Sequence, residues 1–211
     1  MRLLLLISCA CAAGALSLAT AGHAGQPVTQ TLNPPPPSYE TCKAVGTGTI
    51  CQGTTTFSYG PTDTAEEGPP LVCGSGSGTF DVFDSAVGNS LARRTYDANG
   101  NLVRRVRYDQ VTDGQNINPL TGQSVSYTST LTNIDVLAVP GDLNSTTLTT
   151  TGEFIVRPAH GAPVFMDVGR TVIRFEPDFS LDFRAGPQDF FDYAFGDTSA
   201  LEPLCRALGA S

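Results

Sequence analysis

The sequence predicts an all-β fold: an antiparallel up-and-down β-barrel with a short C-terminal helix, stapled by disulfides. Three observations carry that expectation. From Tyr39 onward, β-branched and aromatic residues alternate with polar ones between clusters of Gly, Pro, Asn and Asp, the period of half-buried strands. Cys42, Cys51, Cys73 and Cys205 follow a leader that reads as an export signal, which puts them where disulfides persist. Strands in so long a series expose edges unless the sheet closes on itself, and closure is the simplest remedy, with a two-sheet sandwich as the other solution.

The chain opens on Arg2, an apolar run from Leu3 to Leu18 and Ala19-Thr20-Ala21. At about 16 residues the run is short of the roughly 20 that a membrane helix needs, and it ends in an Ala-x-Ala cleavage pattern. Residues 1–24 are therefore expected to be a signal peptide, and the mature protein to be secreted, with no stable membrane insertion. Residues 25–38 turn to Gly, Gln, Thr and Pro and end in Pro34-Pro35-Pro36-Pro37, read as a disordered linker that finishes in a stiff polyproline spacer. Residues 39–211 are expected to form one domain.

The whole chain carries 12 basic and 20 acidic residues, a net charge of −8, and losing Arg2 makes it one unit more negative. That balance argues against nucleic acid as a partner. Tryptophan is absent, so a sugar cannot stack on an indole.

Within the domain, strands are expected near 45–51, 54–59, 78–84, 91–97, 102–109, 123–137, 146–157, 163–168, 170–176 and 181–185. Asn99-Gly100 between two of them is the pair that a two-residue type I′ hairpin favours. In a second hairpin, a loop over 176–180 would set Phe175 opposite Leu181, Ile173 opposite Phe183 and Arg174 opposite Asp182. Apolar and charged pairs then sort onto opposite faces. One helix is expected, near the C-terminus, where Ser199 and Glu202 have capping-box spacing and Leu201, Leu204, Cys205 and Leu208 share a stripe.

Four cysteines allow three pairings. Local pairing favours Cys42 with Cys51, which leaves Cys73 for Cys205. With Cys205 on the apolar stripe, that second bridge would fasten the helix onto the sheet.

Catalytic equipment is sparse. Outside the leader region His160 is the only histidine, too few for a zinc site built on two or three, and no nucleophile elbow accompanies it. Asp97-x-Asn99-x-Asn101 imitates the start of a calcium loop, but Gly100 falls at its fourth position and Tyr108 at its twelfth. No catalytic residue, metal site or cofactor is assigned.

Five arginines crowd one hairpin: Arg93, Arg94, Arg104, Arg105 and Arg107. Strict alternation puts Arg105 and Arg107 with Val103, and Arg104 with Leu102, Val106 and Tyr108, so Arg104 is read as inside the barrel or at its rim. An inward Arg174 with Asp182 and Glu153 would make a polar lumenal site, since inward charges survive only when paired.

Thr41-Cys42 through Cys51-Gln52-Gly53-Thr54, the Tyr96 to Val106 hairpin, and Gly152-Glu153-Phe154 through Pro163 to Arg170 resemble small secreted proteins of high-GC Gram-positive bacteria that carry no assigned activity. The layout also resembles allene oxide cyclase and dirigent-type barrels, lipocalin-like containers that hold apolar molecules. No catalytic motif of those families maps onto this chain; strand patterning and the absence of standard catalytic sets point to a non-enzymatic barrel binding a small apolar or amphipathic ligand, with Tyr108, Tyr127, Phe154, Phe165 and Phe175 as wall residues and Glu153, His160 and Arg174 as polar contacts. Two other readings are an isomerase or cyclase acting in the lumen through Glu153 and Arg174, and a purely structural or adhesive exported domain. The sequence specifies no oligomeric state.

Overall fold

The computed structural model describes residues 28–63, 70–175 and 180–210. The expected signal peptide and most of the loop over 176–180 lie outside these. Ten strands run in chain order: β1 (Thr41–Val45), β2 (Gly48–Asp63), β3 (Val72–Cys73), β4 (Phe80–Asp81), β5 (Phe83–Tyr96), β6 (Leu102–Ile117), β7 (Ser124–Leu137), β8 (Thr146–Arg157), β9 (Phe165–Arg174) and β10 (Ser180–Ala185). Helices α1 (Asp189–Ala194) and α2 (Glu202–Ala207) follow. Eight strands form one antiparallel sheet in the order β1-β2-β5-β6-β7-β8-β9-β10, and β3 with β4 make a small ladder inserted between β2 and β5.

The expected closure does not occur: among the described residues no ladder joins β1 to β10, and these two strands are the sheet's edges. Both are short, five and six residues beside neighbours of 16 and 10. Short edges carrying Lys43 on one side and Asp182 and Arg184 on the other are a second way to discourage further pairing, so closure is not required. The sheet is nevertheless strongly coiled. Tyr59 of β2, Ala86 of β5, Val156 of β8 and Phe165 of β9 belong to one apolar cluster.

Several expected breaks are strand interiors. The expected segment 45–51 straddles the turn between β1 and β2, and from Gly48 it continues across Gly53 into 54–59 as β2; 163–168 and 170–176 merge across Gly169 into β9, and β6 runs on through Gly114. Gly88 and Gly114 are not punctuation but clearance, because a Cβ there would lie 2.4 Å from the ring of Phe57 or Tyr127. Each ring lies over a glycine of the neighbouring strand.

The 97–101 hairpin has a different turn from the one expected. Gly100 N–H donates to Asp97 O at 3.1 Å and Asp97 N–H to Asn101 O at 2.9 Å, while only Gly100 takes a positive φ, +84°. This is the three-residue loop with a left-handed glycine rather than a type I′ pair. Asp97 Oδ1 accepts from the N–H groups of Asn99 and Asn101, so the calcium-like oxygens are already spent on the turn.

Residues 28–38, read as a free spacer, are docked on this end of the sheet. Asn33 N–H donates to Gly100 O and Leu102 N–H to Asn33 O, both at 2.8 Å, Tyr96 Oη donates to Pro34 O, and Leu32 joins the Tyr96 and Leu102 cluster.

The C-terminal stripe behaves as expected, with Leu201, Leu204 and Leu208 buried in the main cluster. The start differs. A 3-10 turn over Thr198–Leu201, capped by Asp197 accepting from Ser199 N–H, precedes α2, whose first turn holds Pro203. The sequence reading missed α1. It is pinned to β9 by reciprocal bonds: Phe190 N–H donates to Asp167 Oδ1 and Met166 N–H to Asp189 Oδ2. The disulfides are Cys42–Cys51, across β1 and β2, and Cys73–Cys205, which ties α2 to β3.

Candidate binding face

The coiled sheet has a concave face, and two β-bulges on β6 decide what occupies it. Thr95 pairs with Arg104 but Tyr96 with Leu102, so Val103 is an extra residue. A bulge inverts the alternation beyond it. Leu102 therefore faces inward with Arg105 and Arg107, and Arg104 faces outward and exposed, the reverse of the expected arrangement. A second extra residue, Thr112, lies between the partners of Val87 and Gly88.

One end of the concave face is apolar and covered by α2. Here Tyr127, Phe154 and Phe165 meet, with ring centroids 4.8 Å apart for the first pair and 6.3 Å for the second. Asp84 lies at this end. Its Oδ2 accepts from Tyr59 Oη at 2.6 Å and from Tyr127 Oη at 3.1 Å, and its buried Oδ1 has no partner. Burial pushes the Asp84 carboxyl above its ordinary value, against the opposing pull of the two tyrosines and Ser85 N–H. Burial, then the neighbouring Asp84 charge, holds the Tyr127 phenol far above its usual range, so it serves as a donor.

Beside that end, Asp167 is half-buried next to α1. Desolvation pushes its carboxyl up to about 7, and the charges of Asp189 and Asp192 push the same way, while the Phe190 N–H opposes them.

A charged belt crosses the middle of the face. Arg94 Nε donates to Glu40 Oε1 at 2.9 Å, Arg105 Nε to Asp135 Oδ2 at 2.5 Å and Arg107 Nε to Asp109 Oδ2 at 2.9 Å. Arg94 and Arg105 are direct cross-strand partners, so two like charges sit side by side, each held by its own carboxylate. Asp109 also accepts from Ser90 Oγ and Asn133 Nδ2, and Asn133 Oδ1 accepts from Thr150 Oγ1. The network thereby links β5, β6, β7 and β8. Beyond it, Cys51, Tyr96, Leu102 and Leu137 close the far end as a small second cluster. Phe57, Val111 and Phe154 are half-buried where the apolar end meets the belt.

Of the eight expected ligand residues, Tyr127, Phe154 and Phe165 come together on the concave face. The other five do not join them. Tyr108 is exposed on the convex face, opposite Leu91, because the Val103 bulge turns it outward. Glu153, exposed, pairs with Thr130 and Val168 on that same face. Arg174 points the same way and pairs with Asp182 at 2.5 Å. His160 is exposed in the β8–β9 turn, and Phe175, just past β9, is exposed as well. The hairpin register also shifts: Ser180 pairs with Arg174 and Leu181 with Ile173, and a bulge then sets Phe183 opposite Val172. Arg174 and Asp182 still meet, across the diagonal.

Residues missed by the sequence reading are Tyr59, Asp84, Glu40, Asp109, Asn133 and Asp135. Each has a partner distant in sequence or on another strand, and the register of several ladders brings them together. A groove of about 510 Å³ runs beside Cys205, lined by Val72, Tyr193, Leu201 and Arg206. Among the described residues no cluster of three or more metal-ligating side chains is assembled, and no helix is long and apolar enough to cross a membrane. No protein-family model, curated protein or solved structure matches this chain.

Proposed function

We propose that this chain is an exported, non-enzymatic binding module that holds a small amphipathic molecule on its concave face. One observation carries the reading: half-buried Phe57, Val111 and Phe154 adjoin the arginine belt on the same face. A surface that offers apolar contact on one side and oriented donors on the other matches an amphiphile. Two disulfides support export. The lumenal isomerase reading draws no support from Glu153 and Arg174, which lie on the convex face. Native mass spectrometry of protein purified from its own culture medium tests the proposal. A mass excess that disappears on denaturation supports it and sizes the ligand. A native mass equal to the oxidised chain, unchanged on titration with amphiphiles, favours the purely structural domain.

A further inference from the structure

The belt is built so that its guanidinium ends are oriented but not used up. Arg94, Arg105 and Arg107 each hold their carboxylate through Nε, and among the described residues the Nη groups of Arg105 and Arg107 donate to no protein acceptor. A guanidinium offers five donors in a fixed fork, and a side-on Nε bond fixes the plane while leaving the fork's end open. The side chains also grade outward along the face, 12% exposed for Arg94, 26% for Arg105 and 44% for Arg107. Arg105 and Arg107, two positions apart on one strand face, have Cα atoms about 7 Å apart. That spacing lets two forks converge on one oxyanion between them.

The tethers have a further consequence. Asp135 is nearly buried on Arg105, and Asp109 is held by Ser90 and Asn133 as well as by Arg107. The carboxylates are thus locked in place and cannot swing across to neutralise the open ends. Arg94, directly opposite Arg105 and held by Glu40, is a third guanidinium beside the site, and nearby like charges favour an anion that they can share.

The geometry points to Arg105 and Arg107 as an oxyanion clamp that takes the acidic head, carboxylate or phosphate monoester, of the ligand whose apolar body contacts Phe57, Val111 and Phe154. This inference rests on the concave face being the binding face. It adds to that reading the sign and chemistry of the head group.

Calorimetric titration of the full oxidised protein with octanoate, octyl phosphate, octylammonium and octanol separates the two. The clamp predicts that octanoate or octyl phosphate binds at least tenfold more tightly than octanol, and whichever of the two is tighter identifies the head. The Arg107→Gln variant should lose that preference while binding octanol unchanged, because Asp109 keeps Ser90 and Asn133. The Arg104→Gln variant, on the convex face, should match the parent. Octanol binding as tightly as the acids, or an unaltered preference in Arg107→Gln, overturns the clamp and leaves the binding face standing. No binding of any octyl probe overturns both. Should Arg107→Gln not fold, phenylglyoxal labelling of the parent gives the answer by peptide mass: octyl phosphate must protect Arg105 and Arg107 but not Arg104, and equal labelling with and without it refutes the clamp.

Discussion

The two halves of the concave face are made by the same strands, yet one is a core and the other a surface. In the apolar half, α2 supplies Leu201, Leu204 and Leu208 to a cluster with Val156, Phe165 and Tyr127. A few positions along the same ladders, no helix among the described residues supplies such a cover, and the inward polar side chains are Arg, Asp, Asn, Ser and Thr in a connected network. Coiling alone therefore does not make an interior; the covering element does. Where it is absent, inward positions must bond to one another, since a half-buried charge without a partner is costly.

The sharpest way to break this comparison is to release the cover. Replacing both Cys73 and Cys205 by Ser removes a bridge spanning 132 residues and should cost about 5 kcal/mol by chain entropy, a fall of roughly 10 to 20 °C in Tm. Removing Cys42–Cys51, nine residues apart, should cost about half as much. Differential scanning calorimetry of both double variants compares them, and equal losses would deny α2 its role as the cover.

Next in size is the pH response of the covered half. Asp167 titrates near 7 in the folded chain against an ordinary 3.8, so between those values the folded state holds the proton more tightly and stability falls as pH rises. The loss is absent below about pH 4 and complete above about pH 7, on the order of 3 kcal/mol. Asp167→Asn keeps an acceptor for Phe190 N–H and should flatten that part of the slope in urea titrations at pH 4.5 and 7.5. A slope identical to the parent's would show that Asp167 ionises freely.

Smaller effects belong to the belt. Arg105→Gln strands the nearly buried Asp135 and should cost about 2 kcal/mol, whereas Arg206→Gln breaks a pair with Glu202 in which both side chains are about two-thirds exposed and should cost no more than about 0.5 kcal/mol. Equal midpoints in urea for these two variants would erase the distinction between belt and surface.

Strand content, the C-terminal apolar stripe and the fastening role of Cys205 were legible because each is local: a period of two, a period of 3.6, one cysteine on a stripe. Face assignment was not legible on β6, because one extra residue, Val103, reverses the side chains from there to the second bulge at Thr112 and leaves no composition signal. The breaks expected at Gly53, Gly114 and Gly169 failed for a related reason. Glycine reads as a turn in one dimension, but at Gly114 it makes room for the ring of Tyr127 on the next strand. The site residues that were missed share the same origin. Asp84 and Tyr59 are each unremarkable in their own strand and meet, with the expected Tyr127, only across β2, β5 and β7.

The position of α2 also bears on the order in which the chain can finish folding. The meander from β5 to β10 pairs consecutive strands and can assemble as it lengthens, but Leu204, Cys205 and Leu208 follow every strand in chain order, and they cover the apolar end begun by β2 and β5. A chain still being synthesised therefore carries an uncovered core until α2 is made and free to dock. Protease resistance is therefore expected to arise only when the C-terminal helix docks and the bridge to Cys73 closes.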